Sequence, residues 1–263
     1  MEKNRYRDFY EKVFWVPARI PKDPESARDP SFEGELSYFI ERFGLRDKKV
    51  LEVGSGSGSL QDFVSDYTGL DIVGHLKVYY RKPFFTVNDD GTYPFGNGVF
   101  DAIFTRSTLE HVLEVDAALN EMLRVLKPGG VIFLHAAWQV RPWAAEGYAV
   151  RPWSDFGLRG KLVKLSVPLR DSVPFRLLYV VPKRLWRTAK FVVAPRHFAR
   201  LDYRKIKANY DVFWCADSDA CNLIDPHAVI LWFKAHGCGV INYPTLWSSF
   251  FVRTGSILIK KLL

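Results

Sequence analysis

Residues 50–58 read Val50-Leu51-Glu52-Val53-Gly54-Ser55-Gly56-Ser57-Gly58. Apolar residues around a single acid predict a short buried strand, and a glycine-rich turn follows it directly. We expect a helix over residues 58–66 after the turn, because Leu60, Phe63 and Val64 have helical spacing. A strand, a glycine loop and a helix together place backbone N–H groups beside a ligand, where side chains would block its approach.

The glycine spacing bears on the type of ligand. A dinucleotide fingerprint has the pattern G-x-G-x-x-G, whereas the glycines here are at positions 54, 56 and 58, and position 59 is serine. Asp71 lies in a second predicted strand, residues 69–73. It follows Glu52 by about 20 residues, the spacing at which nucleotide-binding folds place a carboxylate on ribose hydroxyls. The loop therefore departs from the dinucleotide pattern, but a candidate ribose-binding acid is present.

Four further motifs follow in order: Asn88-Asp89-Asp90-Gly91-Thr92-Tyr93-Pro94-Phe95, Val99-Phe100-Asp101-Ala102-Ile103-Phe104, Ser107-Thr108-Leu109-Glu110-His111-Val112 and Leu123-Arg124-Val125-Leu126-Lys127-Pro128-Gly129-Gly130. Together with the acid and the G-x-G-x-G loop, they resemble the class I S-adenosylmethionine (SAM)-dependent methyltransferases over residues 48–135. The resemblance implies SAM as the cofactor. It also implies an α/β fold of the Rossmann-like, doubly wound type, with a mostly parallel seven-stranded sheet and an antiparallel hairpin at the C-terminal edge.

The order of predicted elements agrees with this fold. Strands are expected over 49–53, 69–73, 83–86, 100–105 and 130–135, with helices over 4–14, 32–43, 58–66 and 114–126. Ser31 is the expected N-cap of the helix over 32–43. Asp225-Pro226-His227 predicts the start of a last helix that ends at Gly237, and strands over 239–243 and 249–253 would complete the sheet.

Four regions follow from this organisation: an N-terminal arm (1–30), a SAM-binding core (31–136), an aromatic and basic insertion (137–223) and a C-terminal helix with edge strands (224–263). The net charge of the chain is +8, and residues 151–205 alone carry +11. Three cysteines without metal-like pairing predict no disulfide framework. The charged N-terminus predicts no signal peptide, and no apolar run approaches the roughly 20 residues of a membrane span. We therefore expect a cytoplasmic protein.

The resemblance implies roles for ten cofactor-binding residues. Glu52 would serve the methionine end, the loop of Gly54, Ser55, Gly56 and Gly58 would pass beneath it, and Asp71 would hold the ribose. Asp89 or Asp90 would accept the adenine amino group, and Thr105 and Arg106 would complete the site. Simpler interpretations stay open, because Asp71 could only cap a turn and Asp89-Asp90-Gly91 could only form one.

A general base is needed if the acceptor is a hydroxyl group. His111 and His135 are the candidates, because both lie at the expected carboxyl edge of the sheet, where open α/β folds bind ligands. Either could instead be structural, His111 by ordering its loop and His135 as a polar residue beneath the insertion. Asp217 and Asp219 could bind Mg²⁺, but the sequence shows no third ligand, so we predict no metal.

Methyl transfer to a small-molecule or glycan acceptor, on oxygen, is the main hypothesis. The alternatives are an RNA-modifying enzyme that uses the basic insertion, and a non-catalytic methyltransferase-like binding module. Base-amino methyltransferases carry an Asp/Asn-Pro-Pro-aromatic motif where this chain has Thr105-Arg106-Ser107-Thr108, and no cysteine follows a proline as carbon-5 enzymes require. Nucleic acid is therefore the less favoured partner.

Two further observations concern the acceptor. Residues 211–221 and 225–227 are loosely similar to bacterial methyltransferases found with surface-polysaccharide assembly enzymes, which implies a saccharide acceptor that could be lipid-linked. The run 174–187 mixes aromatic, aliphatic and basic residues as interfacial segments do. It predicts peripheral contact with the inner face of the membrane, with a nucleic-acid surface or a solvated face as alternatives.

Overall fold

A computed structural model of the chain describes residues 2–15, 29–138 and 140–262. Its strands are β1 (Lys49–Val53), β2 (Asp66–Asp71), β3 (Phe84–Thr86), β4 (Phe100–Arg106), β5 (Leu126–His135), β6 (Arg204–Lys205), β7 (Asn222–Leu223), β8 (Cys238–Val240) and β9 (Ile257–Lys261). Seven of them form one sheet in the order β3-β2-β1-β4-β5-β9-β8. Strands β1 to β5 run parallel, and β9 is antiparallel to both β5 and β8. The predicted fold class is confirmed.

The helices are α1 (Glu2–Phe9), α2 (Pro30–Arg42), α3 (Val115–Val125), α4 (Leu158–Asp171), α5 (Val173–Val193), α6 (Pro226–Ala235) and α7 (Leu246–Phe250). A π-helical turn, Tyr10–Phe14, extends α1. The N-cap of α2 is Asp29 and not Ser31, since the Asp29 carboxylate accepts the backbone N–H groups of Ser31 and Phe32. Residues 16–28 of the predicted N-terminal arm lie outside the described residues.

Helices cover both faces of the sheet. On β5, Ile132 and Leu134 face the layer formed by α3 and α6, whereas Val131 and Phe133 face α2. This alternation follows from the two-residue period of a strand. The carboxyl ends of the parallel strands are then the edge at which a ligand site can form.

The predicted helix over 58–66 is wrong. Only a 3₁₀ turn, Gln61–Phe63, lies between β1 and β2. Residues 54–65 make the whole connection between these parallel strands, and the glycine loop uses the first five of them. The remaining residues of the connection must run back along the length of the sheet. A helix advances only about 1.5 Å per residue, so a helix of these residues would not cover that length. Leu60 and Val64 are buried against the α2 face of the sheet, so their spacing reflects that contact.

The predicted strand over 249–253 is also wrong, because Leu246–Phe250 is the short helix α7. Thr245 and Ser248 form a reciprocal cap in which each side chain accepts the other residue's backbone N–H. The last strand of the sheet in sequence is instead β9, which begins at Ile257 and lies between β5 and the edge strand β8. β8 covers only Cys238–Val240 of the strand predicted over 239–243.

Between β5 and α6 the chain leaves the sheet and forms α4, α5 and the separate hairpin of β6 and β7. This is the region of the predicted insertion, whose boundaries at 137 and 223 stay a prediction. Arg184 and Arg187 of α5 are each only 3% exposed. The run 174–187 is therefore not a uniformly exposed basic surface.

A single carboxylate ties α5 to the core. Asp225 Oδ1 lies 2.6 Å from Arg184 Nη2, and Asp225 Oδ2 lies 2.9 Å from Arg187 Nη1. Asp225 also caps α6 by accepting the backbone N–H of His227 at 3.1 Å. Arg187 gains a second partner in Asp202, at 2.7 Å. The insertion is thus held to the C-terminal helix by a buried ionic cluster.

Replacing Asp225 by alanine should lower the free energy of unfolding by about 3 kcal/mol or more, because it leaves two buried guanidinium groups short of their counter-charge. Urea denaturation measures the change. Asp8→Ala is the matched control: Asp8 pairs with Lys12 at 2.6 Å on the surface, where loss should cost less than about 1 kcal/mol. Equal effects of the two replacements would contradict this view of the cluster.

Candidate active site

A cavity of about 1080 Å³ opens at the carboxyl ends of β1, β2 and β4. The strand order reverses between β1 and β4, and ligands bind at this type of switch point in doubly wound folds. Acidic side chains outnumber basic ones in its lining, which favours a cationic ligand. The acids are Glu52, Asp71, Asp89, Asp90, Glu114, Asp217 and Asp219, and the arginines are Arg7 and Arg106.

Asp71 holds the glycine loop in place. Its Oδ2 accepts the backbone N–H of Gly56 at 2.9 Å, and its Oδ1 accepts those of Ile72 at 2.7 Å and Val73 at 3.2 Å. Burial raises the pKa of Asp71, and these three hydrogen bonds oppose the rise. The carboxylate therefore both caps the turn after β2 and anchors the loop, as the simpler interpretation requires in part, and its role in ribose binding stays a prediction.

Glycine is required at two positions of the loop, because neighbouring side chains lie close to the backbone there. Gly54 has φ of 71°, and a Cβ atom there would lie 2.2 Å from Oγ1 of Thr108. Gly56 has φ of 51°, and its Cβ would lie 2.9 Å from the ring of Trp15. Both positions combine a left-handed backbone with a neighbour that leaves no room for a side chain.

Glu52 is a buried acid on the floor of the cavity. Its Oε2 accepts the hydroxyl hydrogen of Tyr67 at 2.5 Å. Burial raises the pKa of Glu52 to about 8, although the hydrogen bond from Tyr67 opposes the rise. The acid is therefore mostly protonated at neutral pH. A cation bound beside it would favour the ionised form.

The other predicted cofactor residues divide into two groups. Ser55, Asp89, Asp90 and Arg106 line the cavity, whereas Gly58 and Thr105 do not. Thr105 is completely buried, and Asp89 is paired with Arg7 of α1 at 2.6 Å. Asp90 accepts the backbone N–H of Thr92. Its assignment to adenine, like that of Asp89, stays a prediction.

The two candidate bases have different positions. His111 lines the cavity, and its Nδ1 lies 3.2 Å from Asp219 Oδ2, which also accepts the Tyr10 hydroxyl at 2.6 Å. Burial alone would lower the pKa of His111, but Asp219, Glu110 and Asp217 outweigh it and raise the pKa to about 9.

His135 does not line the cavity, and its ring packs against Phe32 of α2 at 5.2 Å. Burial lowers its pKa. These contacts are those of a ring packed against α2 outside the cavity. They give no support to a catalytic role for His135.

Sequence comparison identifies the family. A family model described as a methyltransferase domain matches residues 51–134. These residues form a methyltransferase domain of the class I SAM-dependent type. The resemblance found in the motifs is thereby confirmed, and with it SAM as the cofactor of this family.

Two relatives of this chain are a demethylmenaquinone methyltransferase of Renibacterium salmoninarum and a ubiquinone biosynthesis O-methyltransferase of Xanthomonas oryzae. The first is 39% identical over 92 residues, covering 32% of this chain and 38% of the relative. The second is 31% identical over 137 residues, covering 46% of this chain and 54% of the relative. The chain thus spans less than two thirds of either relative. A putative methyltransferase structure from Bacillus halodurans has 12% identity and a TM-score of 0.46, covering 88% of this chain and all of that one.

Several cavity residues of the methyltransferase were not predicted from sequence. Tyr10, Phe14 and Trp15 line the cavity from the N-terminal arm, which was predicted only as an irregular segment with a short helix. The sequence feature that could have indicated this role is the clustering of these aromatic residues with Tyr6 and Phe9. Ser107 has φ of 47°, a strained conformation of the kind found at functional sites, and nothing in the sequence indicated it.

A cation could be held next to His111. Ligand atoms of Glu110, His111 and Asp217 lie within 4.8 Å of one another. Glu110 is fully buried, and its Oε2 has no hydrogen-bond partner among the described residues. Glu110 and His111 are thus the possible ligands that the sequence did not reveal beside Asp217, whereas Asp219 is not part of this group. The prediction that no metal is used is therefore open to test with EDTA.

SAM affinity should rise with pH up to about 8 and then level off, because Glu52 must lose its proton to pair with a cationic ligand. Glu52→Gln should weaken binding and remove most of this dependence. Calorimetric titration between pH 6 and pH 9 measures both effects. Tyr67→Phe is the companion variant, since it keeps the acid and removes its hydrogen bond. A wild-type affinity independent of pH would contradict the assignment of Glu52.

Proposed function

We propose that this methyltransferase transfers a methyl group from SAM to an oxygen atom of a small-molecule acceptor. The observation that carries the proposal is the position of His111, which lies in the same cavity as the glycine loop anchored by Asp71. One cavity thus contains both a site of the family's cofactor-binding type and a titratable group suited to proton removal.

SAM supplies an electrophilic methyl group, and the protein supplies positioning and proton transfer. Asp219 orients the His111 imidazole through Nδ1, so Nε2 is the nitrogen that takes the acceptor's hydroxyl proton. The acceptor oxygen would form a bond to the methyl carbon of SAM as the carbon–sulfur bond breaks, with the electron pair left on sulfur and S-adenosylhomocysteine as the product.

The His111–Asp219 pair must lose a proton before it can act as a base. With a pKa of about 9, His111 is mostly protonated at neutral pH. A sulfonium ion bound nearby would lower that pKa by charge repulsion. Cofactor binding would therefore prepare the base.

The acceptor class is proposed from two lines of support. Relatives named for ubiquinone and tocopherol O-methylation favour oxygen as the methylated atom. The loose similarity of residues 211–227 to polysaccharide-associated methyltransferases favours a saccharide, free or lipid-linked. A lipid-linked acceptor would place the reaction at the inner face of the membrane, in keeping with the cytoplasmic location expected from sequence.

A radiolabelled methyl-transfer assay on three acceptor pools tests this proposal. The pools are saccharides and lipid-linked saccharides, phenolic small molecules, and total RNA. Label in either of the first two, lost with His111→Gln, would support the proposal. Label in RNA alone would favour the RNA alternative. SAM binding without transfer to any pool would favour the binding-module alternative, and a parallel assay with EDTA tests the cation.

Asp219→Asn should shift the pH–rate profile to lower pH, because Asp219 makes the largest contribution that raises the pKa of His111. In the wild type, kcat/KM should rise by about tenfold per pH unit well below the pKa of His111 and level off above it, as the base deprotonates. Asp217→Asn is the matched control. It removes the smallest of the named charge contributions and should shift the profile less. Identical profiles in all three proteins would contradict the assignment of His111.

Asp71→Ala should weaken SAM binding by at least about tenfold, since it removes the acceptor of three backbone N–H groups in and beside the glycine loop. Calorimetry with SAM and with S-adenosylhomocysteine measures the loss. Asp90→Ala changes another acid of the cavity lining and leaves the loop anchored. An Asp71→Ala protein that binds both ligands as tightly as the wild type would show that the loop does not depend on this carboxylate.

A further inference from the structure

Helix α4 presents its apolar face away from the protein. Leu158, Leu162, Leu165 and Leu169 are between 60% and 78% exposed. Their spacing of four, three and four residues places them on one narrow stripe of the helix. Most of the partly buried positions are on the opposite side, namely Gly160, Val163, Lys164, Val167 and Asp171. A surface helix of a globular protein normally has the reverse arrangement.

Helix α5 shows the same inversion more strongly. Its two buried residues are Arg184 and Arg187, which bind Asp225 and Asp202. Its outward side carries large apolar residues instead, among them Leu178 at 75%, Leu185 at 54% and Trp186 at 65% exposure. Charged residues thus hold the side of α5 that faces the protein, and apolar residues cover the side that faces outward.

The two helices form one continuous unit. Ser172 both ends α4 and caps α5, and the helices contact each other. Most of the exposed large apolar side chains among the described residues lie between Val150 and Val193. A cluster of this size marks an interaction surface.

The charge around this surface limits what can cover it. Arg159, Lys161 and Arg170 on α4 and Lys183 and Lys190 on α5 are exposed. Asp155, Asp171 and Asp202 are the only acids between residues 151 and 205. Asp202 already binds Arg187 and Lys183, and Asp171 binds Arg141 at 2.8 Å. An anionic partner with an apolar interior is complementary to such a surface.

We propose that the hairpin of α4 and α5 docks on the surface of an anionic lipid bilayer, with its leucine and aromatic side chains at the acyl boundary and its lysines and arginines among the headgroups. Helices that lie in a membrane interface have this combination of an apolar face and flanking cations. Among the described residues, no helix is long and apolar enough to cross a bilayer. The inference does not depend on the acceptor proposed above.

Flotation of the full chain with vesicles tests the docking. One set of vesicles contains phosphatidylcholine alone, and the other contains equal parts of phosphatidylcholine and phosphatidylglycerol. The wild type should float with the anionic set. Leu162→Gln combined with Leu165→Gln should reduce the bound fraction by at least about tenfold. Lys161→Gln should reduce it about fivefold, because each cation near an anionic surface contributes about 1 kcal/mol.

Val78→Gln is the matched control, because Val78 is 80% exposed on the turn after β2 and should leave vesicle binding unchanged. Unaltered SAM binding by the leucine variant would show that the fold is intact and separates this test from the methyltransferase proposal. Wild-type protein that stays with neither vesicle set would overturn the docking. So would dimerisation, or binding of single-stranded RNA, that is lost in the same leucine variant.

Discussion

The site depends on the hydrogen bonds that Asp71 accepts. In a longer strand–loop–helix unit, a helix after the glycine loop would help to fix that loop. Here the connection is too short for a helix, and only the turn Gln61–Phe63 is formed. The Asp71 carboxylate links the loop to the end of β2 through the backbone of Gly56. Because Asp71 is buried, each of these hydrogen bonds is shielded from water and strengthens the loop position.

The second organising constraint is the reversal of strand order between β1 and β4. It brings Glu52 at the end of one strand close to the loop that follows the other, where His111 lies. Acidic side chains from separate segments meet there. Burial raises the pKa of Glu52 and so favours its protonated form, and Asp219 pairs with His111. A cationic ligand would favour the ionised form of Glu52, so the cavity is suited to one.

The core of the fold was predictable because strand and glycine patterns are local. Residues 49–53 and 100–105 were assigned almost to the residue, and Glu52, Gly54, Gly56 and Asp71 lie together as expected. The prediction of a helix over 58–66 was wrong because the spacing of apolar residues does not show what distance the connection between two strands must cover. The prediction of a strand over 249–253 was wrong because the cap formed by Thr245 and Ser248 starts a helix, whereas the run of aromatic residues indicated a strand. The roles of Tyr10 and Trp15 depend on contacts across the whole chain, which no local pattern contains.

The pairing of Tyr10 with Asp219 joins two distant parts of the sequence. Asp219 belongs to the region between β5 and α6, Tyr10 to the N-terminal arm, and both meet at His111. Trp15 of the same arm lies beside Gly56 of the glycine loop. A substitution at Tyr10 therefore changes the hydrogen bonding of Asp219 and, through Asp219, the charge that faces His111.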